Sequence, residues 1–273
     1  MKQKASRVSY SKSMLPRTRK AQLGDCFKMN YIVLLKCGLM LLAFFIPLIA
    51  YSFFMDFYYV SLMAVAKEEV EQTKNVYFYF LYSGIIVLSL PVIVSISGIN
   101  HILRNFIWGE GIYFASDFAS GVKQNALKNI IFGFILGVIL FASYFVTTLF
   151  SGLFVIYLPL IFSALIFVPI YFWILYLNNT YNSKWTVLVR NGFYFFIKNL
   201  GWSLLGILMP LSLFALMFIP FSLIWIKYII LVLFIVFVFP IIFLIMELFA
   251  TSKFDEAINR EYYPVYYLKG LNH

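Results

Sequence analysis

Six apolar stretches, each long enough to cross a bilayer, occupy most of this chain: about 31–55, 76–99, 129–150, 153–176, 200–222 and 226–250. A spanning helix needs about 20 mainly apolar residues to cross roughly 30 Å of hydrocarbon. Inside hydrocarbon every backbone N–H and C=O must be bonded within the structure, and unbroken apolar runs of this length meet that demand as helices. The sequence therefore predicts an all-α polytopic membrane protein: six transmembrane helices with cytoplasmic amphipathic helices, N-in/C-in. Its parts are a basic cytoplasmic N-terminal tail over 1–30, a six-helix transmembrane domain over 31–250 and a cytoplasmic C-terminal tail over 251–273.

Composition agrees. The chain is 63% apolar and 12% charged, against about 25% charged in a soluble domain. The net charge of +10 is compatible with a nucleic-acid ligand, but the basic residues lie in the flanks and alternate loops, the pattern of a membrane-orientation signal. No nucleic acid is expected as a partner. Cys26 and Cys37, at the foot of the first span and within it, suit neither a disulfide nor a metal site. Leu23-Gly24-Asp25-Cys26 superficially resembles a lipoprotein box, but it precedes its apolar segment instead of following it. The first apolar run is too long for a cleavable signal and no small-residue cleavage site follows it, so the first span is retained.

Lys and Arg counted loop by loop fix the expected orientation. Residues 1–28 carry eight, the second loop Arg104, Lys123 and Lys128, the fourth Lys184, Arg190 and Lys198, and the tail Lys253, Arg260 and Lys269. The alternate loops carry only Lys67, Lys74 and Lys227, with Asp56, Glu68, Glu69 and Glu71 for company. The positive-inside rule puts both termini in the cytoplasm.

Two inward loops are not simply polar. In Ile112–Asn129, Phe114, Ala115, Phe118, Ala119, Val122 and Ala126 recur at helical spacing, opposite Ser116, Asp117, Ser120, Lys123 and Gln124. That pattern predicts an amphipathic helix along the cytoplasmic interface, running into span three, with Lys123 toward phosphates or water. Trp185–Asn199 is similar, with Arg190 or Asn191, Tyr194 and Lys198 as its polar stripe. The alternative is that both merely extend the spans. Leu127-Lys128-Asn129 with Gly133 and Gly137 parallels Ile197-Lys198-Asn199 with Gly201 and Gly206, which suggests a parallel duplication of spans two–three and four–five. Gly133 and Gly137 form a single GxxxG, a packing signal.

Lys36 and Glu247 are the two intramembrane charges, and such charges are functional candidates by default. Both lie shallow on the cytoplasmic side. Either they pair and tie the first helix to the last, or each snorkels to the headgroups, or they serve a coupling ion or substrate. Seven prolines (Pro47, Pro91, Pro159, Pro169, Pro210, Pro220 and Pro240) fall in or beside spans, most of them as ordinary features of membrane helices. His101 has no partner set for a metal. No phosphate-binding glycine loop, nucleophile elbow or HExxH occurs. Neither enzymatic activity nor a cofactor or metal is expected.

One stretch is more specific. Leu90-Pro91, Ile102-Leu103-Arg104, Trp108-Gly109-Glu110-Gly111, Phe114, Asp117-Phe118 and Val122-Lys123-Gln124-Asn125 resemble the YesL-like family of bacterial integral membrane proteins. The tail, Asn259, Glu261-Tyr262-Tyr263-Pro264 and Gly270-Leu271, resembles that family's ending. Val122 stands where the family often has phenylalanine, and the basic tail before span one is longer than usual. The resemblance implies a six-helix protein of the bacterial cell membrane, of a family often encoded near carbohydrate uptake systems, and no catalytic residues. Within the motif, Trp108 anchors at the interface, Gly109 and Gly111 permit a turn, and Glu110 or Asp117 caps the following helix. Lys123 and Asn125 complete the motif, and its helix is the candidate partner-docking surface.

Three functions follow for the structure to be held against. The first is an accessory or permease-like component of solute, carbohydrate, uptake, with transporter subunits as partners beside the lipid bilayer. The loop lacks the Glu-Ala-Ala…Gly pattern by which permeases grip an ATPase. The second is a stand-alone secondary transporter or channel, disfavoured by scarce mid-span polar residues. The third is a membrane-embedded lipid-handling protein.

Overall fold

A computed structural model describes residues 15–65, 70–149, 158–181, 183–207 and 224–272, and these are helical throughout apart from short turns. Helix α1 (Arg19–Val65) has 47 residues, about 70 Å at 1.5 Å per residue. Helix α2 spans Val70–Ile107, α3 Phe114–Leu149, α4 Leu158–Tyr181 and α5 Trp185–Lys198. A short α6 (Leu200–Ser203) leads into a 3₁₀ turn, Leu204–Ile207. The last rod is built from α7 (Ile224–Leu233), a π-helical turn (Phe234–Val238), α8 (Phe239–Phe254), a second π-helical turn (Asp255–Asn259) and α9 (Arg260–Tyr262).

Five segments are long and apolar enough to cross a membrane: Tyr31–Leu62, Asn75–Ile107, Phe114–Val146, Leu158–Tyr181 and Ile224–Tyr262. The expected fifth span, 200–222, falls mostly outside the described residues.

The rods pack α1 on α2, α2 on α3 and α3 on α4, with the last rod against α1, α2 and α4. Three close approaches set this arrangement. A Cβ at Gly38 of α1 would lie 1.9 Å from the Val236 carbonyl oxygen. Pro240 offers no N–H to that carbonyl four residues back, and the bare glycine lets α1 sit directly against it. Gly121 of α3 would meet the His101 Cβ at 2.4 Å and the Gly98 Cα at 3.1 Å, so α2 and α3 touch backbone to backbone there. The GxxxG glycines face α2: Gly133 is against Ile93, with the Tyr171 hydroxyl of α4 beside it, and Gly137 is against Ile86. The main core gathers Leu41, Ile99, Leu103, Tyr176, Phe239, Phe243 and Phe254. A smaller cluster of Met55, Tyr77 and Leu81 closes the other end.

Ile112–Asn129 is not a separate in-plane helix. Its residues from Phe114 on form the first half of α3, which runs unbroken to Leu149. Phe114 and Phe118 pack on the core, Ala126 is buried and Lys123 is exposed, as expected, but the inward face also carries polar residues. Asp117, Gly121, Asn125 and Asn129 face inward at four-residue spacing, whereas Ala115 and Ala119 of the apolar set are exposed and Phe114, Phe118 and Val122 are half-buried. The proposed duplication finds no local support: the chain runs through Leu127–Asn129 as helix, but at Asn199 it leaves the helix, with φ −124° and ψ 40°.

α5 is a separate short helix that packs on α3 and α4. Trp185 meets Phe132 of α3 (ring centroids 5.1 Å), Gly192 lies over Ile174 and the Ile170 carbonyl, and Phe195 stacks on Trp173 at 5.0 Å. The helix, about 20 Å long, thus packs from α3 at its start onto α4 at Ile170–Ile174.

Gly38→Ala is expected to destabilise the fold by about 1–3 kcal/mol, because backbone must yield. Gly24→Ala, where nothing lies within 4 Å of the added Cβ, should be neutral or stabilising by up to about 1 kcal/mol. Thermal unfolding in one detergent compares them, and equal effects would refute the close α1 contact.

Candidate functional site

Four rods contribute polar side chains to one buried layer. α2 brings Ser97, Asn100, His101 and Arg104, spaced three and four apart on one face. α3 brings Asn125 and Asn129, a turn apart. α4 ends its apolar run on Asn178 and Asn179. α8 brings Glu247 and, a turn later, Thr251. All except the half-buried Arg104 are buried, Glu247 completely. The contact at Gly98 and Gly121 holds α2 close enough to α3 for these short side chains to meet.

Asn179 is the hub. Its Nδ2 donates to the Asn100 carbonyl at 3.0 Å and to Glu247 Oε1 at 3.4 Å. Its Oδ1 accepts from Asn125 Nδ2 at 3.3 Å, and its backbone carbonyl accepts from Arg104 Nη1. Asn178 Nδ2 donates to Asn129 Oδ1 (2.9 Å) and to the Asn125 carbonyl (3.1 Å). Asn129 Nδ2 reaches Ser97 Oγ at 2.8 Å. Arg104 Nη2 contacts His101 Nδ1 at 3.0 Å and donates to Asn105 Oδ1 at 3.1 Å. Its positive charge also acts on the Glu247 carboxylate through space.

The layer is only partly satisfied. Glu247 Oε2, both amide atoms of Asn100, Asn105 Nδ2, Asn178 Oδ1 and the Tyr176 hydroxyl are buried with no hydrogen-bond partner among the described residues. Each such group costs about 1–3 kcal/mol, and more when charged. A buried layer that keeps them marks the place where stability yields to another requirement.

A cap closes the bundle beyond this layer. α2 ends in a Schellman turn: the Glu110 N–H donates to the Asn105 carbonyl (2.9 Å) and the Gly109 N–H to Phe106 (3.0 Å). Gly109 takes φ +68°, a conformation open to glycine. Lys269 from the C-terminal turn pairs with Glu110 at 2.7 Å. Trp108 stacks on Tyr266 at 5.0 Å, with Lys269 and Arg104 at 4.1 and 4.6 Å from its ring centre. Arg19, at the start of α1, pairs with Asp255 at 2.8 Å. Tyr181 donates to Asn259 Oδ1 at 2.6 Å, and Asn272 N–H to the Pro16 carbonyl at 3.0 Å. The ends of the described chain and the α2–α3 turn therefore meet at one end of the bundle.

The candidates read from sequence divide accordingly. Trp108 is buried in the cap and Glu110 is tied to Lys269. Asp117 caps α3: its Oδ2 accepts the Tyr113 N–H at 2.9 Å. Asn125 belongs to the layer, and Lys123 is exposed. Lys36 does not pair with Glu247. It projects from the outer face of α1, next to fully buried Cys37, whereas Glu247 turns inward toward α2 and α4.

A second polar cluster lies at the other end and was misread as loop. Asp56 sits inside α1, buried, and pairs with Lys227 at 2.5 Å. It also accepts from Tyr228 at 2.9 Å and Tyr77 at 3.4 Å. Of the asparagines of the first layer Asn125 was among the candidates, whereas Asn100, Asn129, Asn178 and Asn179 were missed as site residues. Their signal was the spacing Asp117, Gly121, Asn125, Asn129 and the Asn178-Asn179 pair closing an apolar run.

Chemically the inner layer offers amide donors and acceptors, one carboxylate with an unengaged oxygen and one guanidinium. No group of three or more His, Cys, Asp or Glu positioned for a metal occurs among the described residues. No protein-family model, curated protein or solved structure matches the chain, so the geometry carries the functional reading.

In a double-mutant cycle, Arg104→Met and Glu247→Leu should couple by about 1 kcal/mol or more. Lys36→Met and Glu247→Leu should add to within about 0.5 kcal/mol. Asn179→Leu should cost about 3 kcal/mol or more, by orphaning Asn125 and Glu247 together. Coupling between Lys36 and Glu247 in equilibrium unfolding would overturn this geometry.

Proposed function

We propose that this chain is a six-span, N-in/C-in protein of a bacterial cytoplasmic membrane. In this reading it is an accessory, permease-like component of solute uptake and engages transporter subunits at its cytoplasmic end. Topology supports the sixth crossing. Tyr181 lies at the end where Asn259 and Tyr263 lie, and Lys227 lies at the other end, beside Asp56. The chain between them has one bilayer to recross. Orientation rests on the cationic end, where Arg19, Arg104, Lys253, Arg260 and Lys269 gather, by the positive-inside rule.

The observation that carries the accessory reading is the distribution of polarity. From Glu247 to Lys227 the last rod runs about 30 Å without a charged residue. Among the described residues, no charged side chain faces the interior between the two polar layers. A polar solute needs hydrogen-bonding groups along its whole path, and this chain gathers its charged groups at the two ends of the bundle instead of between them. The resemblance to the YesL-like family supplies the solute class, carbohydrate. The unengaged Glu247 oxygen favours the second reading, a stand-alone secondary transporter with Glu247 as its coupling group.

Labelling from outside is expected at Glu69→Cys and not at Lys12→Cys, two positions beyond the described residues. The reverse pattern would refute N-in/C-in. Purification in mild detergent should retain a transporter subunit, and deletion should lower sugar uptake. Loss of both expectations, together with solute flux in proteoliposomes of the chain alone, would replace the accessory reading with the second.

A further inference from the structure

α5 carries a surface that the uptake reading does not use. Its outward face consists of two adjoining rows. Arg190, Tyr194 and Lys198 form one at four-residue spacing, with the Lys198 ammonium 5.6 Å from the Tyr194 ring centre. Phe193 and Ile197, continued by Leu200, form the other, with Ile197 69% exposed. Residues 183–207 contain Lys184, Arg190 and Lys198 and no acid. Glu256, whose carboxylate feels the Lys198 charge through space, is paired with Lys253 at 2.8 Å.

The depth of this helix follows from what it touches. It packs on α4 at Ile170–Ile174, one to two turns toward the apolar mid-bundle from the Asn178–Asn179 layer. Exposed Trp185 and Trp202 flank it, and Trp202 packs on Phe249 at 5.4 Å. From Phe249 to the exposed Trp225 is about 36 Å of helix, close to the hydrocarbon thickness plus its aromatic borders. α5 therefore lies at the hydrocarbon–headgroup boundary on the cationic side. A basic row beside an apolar row at that depth matches an amphiphile with an acidic head and acyl tails.

We propose that the outer face of α5 is a binding site for an anionic diacyl phospholipid. Arg190 and Lys198 hold the headgroup phosphate, and Phe193, Ile197 and Leu200 line the acyl chains. The site stands independently of the uptake function. The helix is clamped from behind by Gly192 against α4 and Phe195 against Trp173, so the two cations are presented on a fixed element, not on a loose loop.

The test uses the full chain, delipidated in detergent and offered phosphatidylglycerol or phosphatidylcholine of identical acyl chains, with retained lipid counted by native mass spectrometry. Preference for phosphatidylglycerol is expected on the order of tenfold, falling to near parity in Arg190→Gln/Lys198→Gln while Lys123→Gln keeps it. Undiminished preference in the double variant, or an equal loss in Lys123→Gln, would overturn the site. A photoactivatable phosphatidylglycerol on the unsubstituted protein decides the matter without any variant. Adducts concentrated within 185–202 support the site. Adducts spread over all lipid-facing helices, or a partner protein captured at Tyr194 in place of lipid, refute it.

Discussion

Asn179 holds the inner end of this bundle together, and most of the architecture can be followed outward from it. One amide joins α2, α3 and α8 to the end of α4, while its backbone carbonyl takes the Arg104 guanidinium. In an apolar bundle no hydrophobic gradient distinguishes one helix register from another, because lipid is as apolar as leucine. Directional bonds supply the missing specificity. A one-residue slip of α4 would swing Asn179 about 100° round its axis and orphan Asn125 and Glu247 together. The layer fixes register by making every alternative worse, while its own unpartnered atoms keep it from being optimal.

The backbone had to be built for this. Short amide side chains meet only where helices approach closely, and two glycine contacts provide that, Gly98 with Gly121 and Gly38 with the Val236 carbonyl. The second draws on a proline as well. Pro240 withdraws a donor from Val236, the π-helical turn offsets the chain, and Gly38 presents a bare Cα to what results. The sequence reading took Pro240 for an ordinary membrane-helix proline and Gly38 for nothing at all. Neither residue carries meaning alone, because the partner lies about 200 positions away.

That contrast shows what was legible in the sequence. Five of the six expected spans were readable because hydrophobic length is a local property, and so was the Gly109 turn, because a Schellman end needs a glycine wherever it occurs. The Asp117 cap was readable for the same reason. Polarity was half legible at 112–129: Phe114, Phe118 and Ala126 do turn inward, but so do Asp117, Asn125 and Asn129, which the rule that apolar residues point inward does not find. Burial there is decided by partners on α2 and α4, not by transfer from water. Asp56 was misread likewise. A carboxylate at a span end reads as loop until Lys227, Tyr228 and Tyr77 are known to converge on it. Lys36 and Glu247 seemed a pair because depth can be counted along a sequence, but azimuth around the bundle cannot.

The two polar clusters differ in a way that bears on how the bundle moves. At the outer end Asp56 has a cation and two phenols: the Lys227 and Tyr228 contacts are lost if α1 and α7 separate, and the Tyr77 contact if α1 and α2 do. At the inner end Glu247 Oε2, the Asn100 amide and Asn178 Oδ1 have no partner among the described residues to lose. A rearrangement there forfeits a few bonds and gains access to partners for several unbonded groups, so its net penalty is smaller. Arg104 sits where such a rearrangement would be felt. Its guanidinium reaches the Asn179 carbonyl on one side and lies over Trp108 on the other, and Trp108 is held by Tyr266 and Lys269 of the C-terminal turn. Displacing that turn would remove the aromatic and cationic neighbours of Trp108, and with them one of the two walls that fix the arginine. The cap at the chain ends and the buried carboxylate are thus joined by a short physical path, through one indole and one guanidinium.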